Sequence, residues 1–189
     1  MTEIKRCPWC AGDDLYTAYH DSEWGVPVRD SLKLFELFIL DGAQAGLSWI
    51  TILKRREGYR AAFNNMNPEL MALWSEDYMQ ELAQDSRIIR NRLKIKSAKN
   101  NAQCFLKMSG CGIDFSDWLW NFMPDNKPIK NHFSKIGDVP ASTPLSETIS
   151  KELKKKGWTF VGPTIVYAVM QAAGLVNDHF TDCFRYNEC

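Results

Sequence analysis

The sequence of 189 residues has no excess of charge of either sign, because Lys and Arg number 23 and Asp and Glu also number 23. Without a basic surplus, a polyanionic partner must be bound by local patches. No apolar run approaches the roughly 18 residues that cross a bilayer. The first ten residues, MTEIKRCPWC, lack the apolar core of a signal peptide. These absences predict a cytoplasmic protein that contacts no membrane.

Cysteine and histidine are also scarce. The six cysteines form no dense disulfide framework, and a chain that is 45% hydrophobic can bury a core without one. Reduced cysteines, some of them metal ligands, are therefore predicted. We expect a monomer with one domain over residues 1–189 that is divided into two helical lobes.

Strand alternation is nearly absent, and neither an internal repeat nor a low-complexity segment is found. Helical spacing of apolar residues recurs instead, which predicts an all-α fold. Helix starts are indicated at Asp30 or Ser31, at Asn67 and at Ser75. The stretch DGAQAG predicts a break between two helices, and residues 124–142 predict a long loop. One further helix is expected over SRIIRNRLKIKSAKNNAQCFLKM, with its apolar residues facing inward: Ile88, Ile89, Leu93 and Phe105.

Two helices joined by a six-residue hairpin are predicted at about 143–174. Thr143 and Pro144 begin the first helix, Gly157 ends it, and the second begins after Gly162. This helix-hairpin-helix pattern leaves backbone amides beside a helix N-terminus, where a phosphate can bind. The residues that we assign to phosphate contact here are Lys155, Lys156, Gly157, Gly162 and Thr164. The alternative is an ordinary helical hairpin with a solvated lysine run.

A metal site is indicated by His179 and Cys183, which stand about one helical turn apart. His20 and either Cys7 or Cys10 would complete a Cys2His2 set that joins the two ends of the chain. Four protein ligands leave no open position, so such a site would be structural rather than catalytic.

An aromatic pocket is indicated in the first 50 residues. Tyr16, Tyr19, Trp24 and Trp49 flank polar or glycine-rich stretches, and Asp41 stands in an otherwise apolar helix end. The alternative is an aromatic core layer, with Asp41 capping a helix end.

Several longer stretches carry a family resemblance: LYTAYHDSEWGVP, QAGLSWITILKRRE, IIRNRLKI, STPLSETISKELKKKGWTFVGPT and MQAAGLVNDH. Together they span essentially the whole chain, which resembles the 3-methyladenine DNA glycosylase I family of bacterial alkylation repair. The resemblance implies a helix-hairpin-helix glycosylase fold with one zinc joining the termini. By position, the zinc ligands fall on Cys7, His20, His179 and Cys183, which leaves Cys10 as a spare thiol.

The activity implied by the resemblance is hydrolytic excision of 3-methyladenine from double-stranded DNA, with free 3-methyladenine as product. Tyr16, Tyr19 and Trp49 fit the stacking walls of a base pocket, and Asp41 fits its carboxylate. The family usually has glutamate at the position of Asp41. Neither a catalytic aspartate in PTIVYAVMQAAG nor a lyase lysine is indicated, so the enzyme is expected to be monofunctional.

In the stretch AGLSW, Gly46 allows close backbone approach and Leu47 offers an apolar wedge for the gap left by a flipped nucleotide. The alternative is that Leu47 packs in the core.

Two rival functions share these residues. A zinc hydrolase or deaminase would need an open metal position and a glutamate in an HxE context, whereas the chain has HDSEW. A non-catalytic, zinc-stapled DNA-binding module would need no base pocket.

Overall fold

The structure is a computed structural model that describes residues 4–189. Within these residues the chain forms ten α-helices: α1 Asp14–Ser22, α2 Ser31–Gln44, α3 Trp49–Leu53, α4 Arg56–Ala62, α5 Pro68–Ala72, α6 Glu76–Leu82, α7 Arg92–Gly110, α8 Phe115–Trp120, α9 Pro144–Lys155 and α10 Pro163–Ala172. Two short strands, β1 Ile129–Lys130 and β2 Val176–Asn177, pair in parallel. The mostly helical fold predicted from the sequence is confirmed.

Side-chain caps begin most of the longer helices. The Asp30 carboxylate accepts the Lys33 amide before α2, and the Asn67 side chain caps α5. Thr143 and Ser146 form a reciprocal capping box at the start of α9. These caps satisfy amides that have no partner inside the helix, which is why their residue types were informative in the sequence.

A single large core lies between α2, α7, α8 and α10, and α9 covers it. Its centre is aromatic, with the rings of Phe115 and Trp158 stacked at 5.0 Å and an interplanar angle of 8°. A smaller cluster is formed by Cys7, Phe180 and Cys183 near the two ends of the chain. The division into two lobes stays a prediction.

One helix assignment from the sequence is wrong, and one predicted break is present but begins later in its stretch than expected. α7 begins at Arg92, because Asn91 caps it there, and residues 85–90 form turns. Leu93, expected to face inward, is 68% exposed. In the DGAQAG stretch, α2 continues through Asp41 and Gly42 to Gln44, so the break falls at residues 45–48. We call these four residues the insertion turn.

The loop at 124–142 is held to the C-terminal part of the chain by the strand pair, in which Ile129 faces Val176 and Lys130 faces Asn177. This pairing brings the segment that follows α10 beside the loop. No helix formed by residues 4–189 has both the length and the apolarity to span a bilayer.

Candidate active site and metal centre

A cavity of about 260 Å³ opens between α1, the end of α2 and α10. The five residues that the sequence indicated for a pocket all line it: Tyr16, Tyr19, Trp24, Asp41 and Trp49. Trp9 also lines it, with its ring 4.8 Å from that of Tyr16 and 4.9 Å from that of Trp24. Flat aromatic faces on several sides suit a planar ligand.

Asp41 is the polar residue of this cavity whose burial is least offset by hydrogen bonds. It is 3% exposed, and its Oδ2 atom has no hydrogen-bond partner among the described residues. Burial raises the pKa of the Asp41 carboxyl well above its usual range. The buried Nε1 of Trp49 likewise has no acceptor there. The cavity therefore contains one hydrogen-bond acceptor and, in its wall, one hydrogen-bond donor that have no partner among the described residues. Such groups are expected where a polar ligand supplies the missing hydrogen bonds.

A second carboxylate, Asp178, also lines the cavity and was missed in the sequence. Its oxygens accept hydrogen bonds from the Tyr167 hydroxyl at 2.6 Å, from Gln171 Nε2 at 2.8 Å and from Asn131 Nδ2 at 2.7 Å. Three donors stabilise a buried carboxylate, in contrast to the unpaired oxygen of Asp41. The polar run before His179 was the available signal, but the position of Asp178 beside the aromatic residues depends on the meeting of the two ends of the chain.

Four metal-ligand side chains meet beside this cavity: Cys7, His20, His179 and Cys183, all buried, with their ligand atoms within 4.8 Å of one another. The Cys183 sulfur lies 3.4 Å from His20 Nε2 and 3.7 Å from His179 Nδ1, and the Cys7 sulfur lies 3.8 Å from His179 Nδ1. Sulfur and nitrogen ligands at ordinary zinc bond lengths stand about 3.6 Å apart on a tetrahedron. The spacing therefore fits one tetrahedral metal ion.

The other ring nitrogens of the two histidines are held by partners outside the cluster. His20 Nδ1 lies 2.8 Å from the Asp21 carboxylate, which Arg6 binds in turn, and His179 Nε2 lies 3.1 Å from the Trp24 carbonyl oxygen. Both partners can accept a hydrogen bond from the ring nitrogen beside them, and the other ring nitrogen of each histidine faces the cluster.

The cysteines of the cluster are Cys7 and Cys183. Cys10 lies outside it, where its thiol donates a hydrogen bond to the Cys7 carbonyl oxygen at 3.1 Å. Hydrogen bonding to Cys183, together with burial, raises the pKa of Cys7, and the same bond lowers the pKa of Cys183. A metal cation bound by these sulfurs would replace their protons.

The hairpin, residues 157–162 between α9 and α10, has a shape that the sequence only partly indicated. Gly157 has a φ of +89°, which favours glycine, whereas Gly162 has an ordinary φ of −61°. The second left-handed residue is Phe160, at a φ of +53°. A Cβ atom on Gly162 would meet no heavy atom within 4 Å, so the backbone is open on that side.

The polar residues assigned to the hairpin region lie at its surface. Thr164 is exposed in the first turn of α10, and the exposed Lys155 pairs with Glu152 at 2.6 Å. The Lys156 ammonium stands 5.6 Å from the centre of the Trp118 ring. The backbone amides of residues 157–159 donate hydrogen bonds within the fold.

The insertion turn projects from the end of α2. Gly46 has a φ of +78° with open space around it, and Leu47 is 40% exposed. Packing of Leu47 in the core, the alternative considered from the sequence, is therefore wrong.

The chain is similar to known proteins over almost its full length. A family model described as methyladenine glycosylase matches residues 9–186. The chain is 48% identical over 183 residues to DNA-3-methyladenine glycosylase 1 of Escherichia coli, covering 97% of each chain. It is 47% identical to DNA-3-methyladenine glycosylase of Haemophilus influenzae over 178 residues, 94% of this chain and 96% of that protein.

Solved structures agree with these matches. A crystal structure of 3-methyladenine DNA glycosylase I superposes with a TM-score of 0.93 at 49% identity, covering 95% of this chain and 98% of that one. A Staphylococcus aureus structure described as the basis of 3-methyladenine recognition superposes at 0.91 with 35% identity, covering 96% of each chain. Fold and sequence agree over almost the full length, and the chain belongs to the methyladenine glycosylase family.

Proposed function

We propose that this chain is a monofunctional DNA glycosylase that hydrolyses the N-glycosidic bond of 3-methyladenine in alkylated double-stranded DNA. The observation that supports this most directly is the buried, unpaired carboxyl of Asp41 in an aromatic cavity of a methyladenine glycosylase family member. The same cavity disfavours the non-catalytic DNA-binding module, which has no use for a base-sized pocket.

The substrate needs recognition more than it needs an acid catalyst. Methylation at N3 gives adenine a positive charge while it is bonded to the sugar, so the base is already a good leaving group. As the bond breaks, that charge passes to the sugar, the base departs as a neutral molecule, and water adds to the sugar carbon and loses a proton. The enzyme must extrude the nucleotide from the helix and hold it in this geometry.

The residues that line the cavity hold the base. Tyr16, Tyr19 and Trp49 stack on the planar base, and Trp24 narrows the pocket beside Trp9. The unpaired oxygen of Asp41 accepts a hydrogen bond from the amino group of the base. Asp178 adds a negative charge in the cavity wall, which favours the cationic nucleotide over a neutral one.

The cluster of Cys7, His20, His179 and Cys183 would hold one structural zinc ion. With four protein ligands, the ion has no position for a water molecule or a substrate atom, so it would contribute stability rather than chemistry. This ligand count disfavours the zinc hydrolase and deaminase function.

Release of free base from alkylated duplex DNA tests the proposed function. We expect chromatography to detect 3-methyladenine and an intact strand that carries an abasic site. Strand cleavage would contradict the monofunctional assignment. Release of a deaminated base would favour the deaminase, and tight DNA binding without any release would favour the binding module.

The hairpin is expected to bind the DNA backbone. Gly162→Leu should weaken binding to duplex DNA by about tenfold, because it fills the open space that a phosphate would occupy, and should leave affinity for free 3-methyladenine unchanged. Fluorescence anisotropy measures the first quantity and calorimetry the second. Affinity for duplex should also fall steeply with salt, because phosphate contacts release counterions.

Gly110→Leu is the matched control for this substitution, since Gly110 also has open space but ends α7. Equal weakening by both substitutions, or salt-independent binding, would contradict a phosphate site at the hairpin.

Leu47 is expected to fill the gap left by the extruded nucleotide. Leu47→Ala should slow excision from duplex DNA by about tenfold and change excision from single-stranded DNA little, because only the duplex has a base stack to fill. Leu73→Ala is the control, since Leu73 is 80% exposed in the turn that follows α5. Equal slowing on both substrates would exclude the wedge role.

A further inference from the structure

One face of α7 contacts both of the segments assigned to DNA. At its start, Lys94 Nζ donates to the Ala43 carbonyl oxygen at 2.7 Å and to the Ala45 carbonyl oxygen at 2.7 Å. These carbonyls belong to the last turn of α2 and the first residue of the insertion turn, where no helical amide can reach them. The ammonium therefore binds the negative end of α2 and fixes the direction in which the insertion turn leaves it.

Further along the same face, Asn101 binds the hairpin. Its Nδ2 donates to the Thr159 carbonyl oxygen at 2.9 Å, and its Oδ1 accepts the Thr159 amide at 2.9 Å. Ser97 lies between the two ends and hydrogen-bonds to Thr159 through its hydroxyl. Positions 94, 97 and 101 recur at helical spacing, so one rigid face of α7 spans from the insertion turn to the hairpin.

We propose that Lys94 and Asn101 are positioning residues that hold the insertion turn and the hairpin at a fixed separation, so that both contact one DNA duplex together. This inference rests on the proposed function. If the insertion turn and the hairpin moved independently, each would lose contacts with DNA whenever the other bound. Because α7 holds them rigidly, one DNA duplex can contact both segments at once.

Burial supports the positioning role over a direct phosphate contact. Asn101 is 2% exposed, and both polar atoms of its side-chain amide bind Thr159. Lys94 is half-buried, its ammonium already binds two carbonyls, and burial lowers its pKa. A lysine that served only as a surface charge would stay solvated, as Lys96 does two residues further along.

Lys94→Met tests the inference, with Lys96→Met as a control that removes the same charge from the same helix. We expect Lys94→Met to reduce kcat/KM on alkylated duplex DNA by about tenfold. Excision from single-stranded DNA and affinity for free 3-methyladenine should change less than about twofold, because the base pocket is intact. Lys94→Arg, which can also donate to both carbonyls, should restore duplex excision.

Asn101→Ala tests the other end and should give the same pattern. Both residues hold the same separation between the insertion turn and the hairpin. The double variant should therefore lose little more kcat/KM on duplex DNA than either single variant. Losses that simply add, or a loss shared equally by duplex and single-stranded substrates, would overturn the inference. So would an equal effect of Lys96→Met. Absence of base release by the unsubstituted protein is a different result, which would instead contradict the proposed function.

Discussion

Asp41→Asn is expected to weaken binding of 3-methyladenine by about ten- to a hundredfold. A hydrogen bond to a charged group contributes roughly 1.5–3 kcal/mol, and the Asp41 oxygen has no other partner among the described residues to compensate. The amide keeps the size of the side chain and removes only its ability to become a carboxylate. Calorimetric titration with the free base measures the change.

The same substitution is expected to stabilise the free protein at neutral pH. The folded pKa of Asp41 is raised by burial, whereas an unfolded aspartate has a pKa of about 3.9. Between these two values the folded chain binds the extra proton, so stability falls as pH rises through this window and levels off above the folded pKa. Asn carries no such penalty. The melting temperature of the Asp41→Asn variant should match that of the parent protein near pH 3 and exceed it by at least about 2 °C at pH 7.

Two controls separate these effects. Asp41→Glu restores the usual family side chain and should be tolerated, with higher affinity if the shorter aspartate reaches the base only through water. Asp77→Asn removes the same charge from an exposed position in α6. It should leave both the affinity for 3-methyladenine and the pH dependence of the melting temperature unchanged. Lower stability of Asp41→Asn with unchanged base affinity would remove Asp41 from the pocket and leave it a structural role in α2.

Cys183→Ser is expected to lower the melting temperature by about 10–20 °C. The cluster joins distant parts of the chain, since Cys7 and His179, for example, are separated by 172 positions. Linking residues across a loop of this length removes roughly 4–5 kcal/mol of chain entropy from the unfolded state. For a domain of this size each kcal/mol corresponds to about 2–4 °C. Differential scanning fluorimetry measures the shift, and elemental analysis should find one zinc per chain in the parent protein.

Cys10→Ser is the matched control, because Cys10 is also buried but bonds only to the Cys7 carbonyl oxygen, as a serine hydroxyl can. It should melt within a few degrees of the parent and keep its zinc. Cys183→Ser protein that stays folded at low temperature should still release base. If metal-free protein were as stable as metal-loaded protein, the cluster would have no stapling role.

The features that could be predicted from the sequence are those with a local physical cause. Thr143 and Pro144 indicated the start of α9 because capping depends on neighbouring residues alone, and the structure confirms it. His179 and Cys183 were informative as a pair because few residue types bind metals, although the choice between Cys7 and Cys10 needed more than spacing.

The features that were missed depend on packing between distant segments. Leu93 fits an inward helical pattern, yet α7 begins one residue before it and Leu93 lies on the solvent side of the first turn. Trp9 and Asp178 reach the cavity only because the two ends of the chain meet there. Phe160 adopts a left-handed backbone that its residue type disfavours, so no local rule indicated it.

The meeting of the two ends also has a consequence for the order of folding. Contacts across 172 positions close a loop that includes most of this chain, so they form after the local contacts of α9 and α10 have compensated part of the chain entropy. Trp9 and Phe180 line the base cavity from these two end segments. A refolding chain should therefore regain its helices first and its capacity to bind 3-methyladenine last, and fluorescence of the bound state should lag behind circular dichroism.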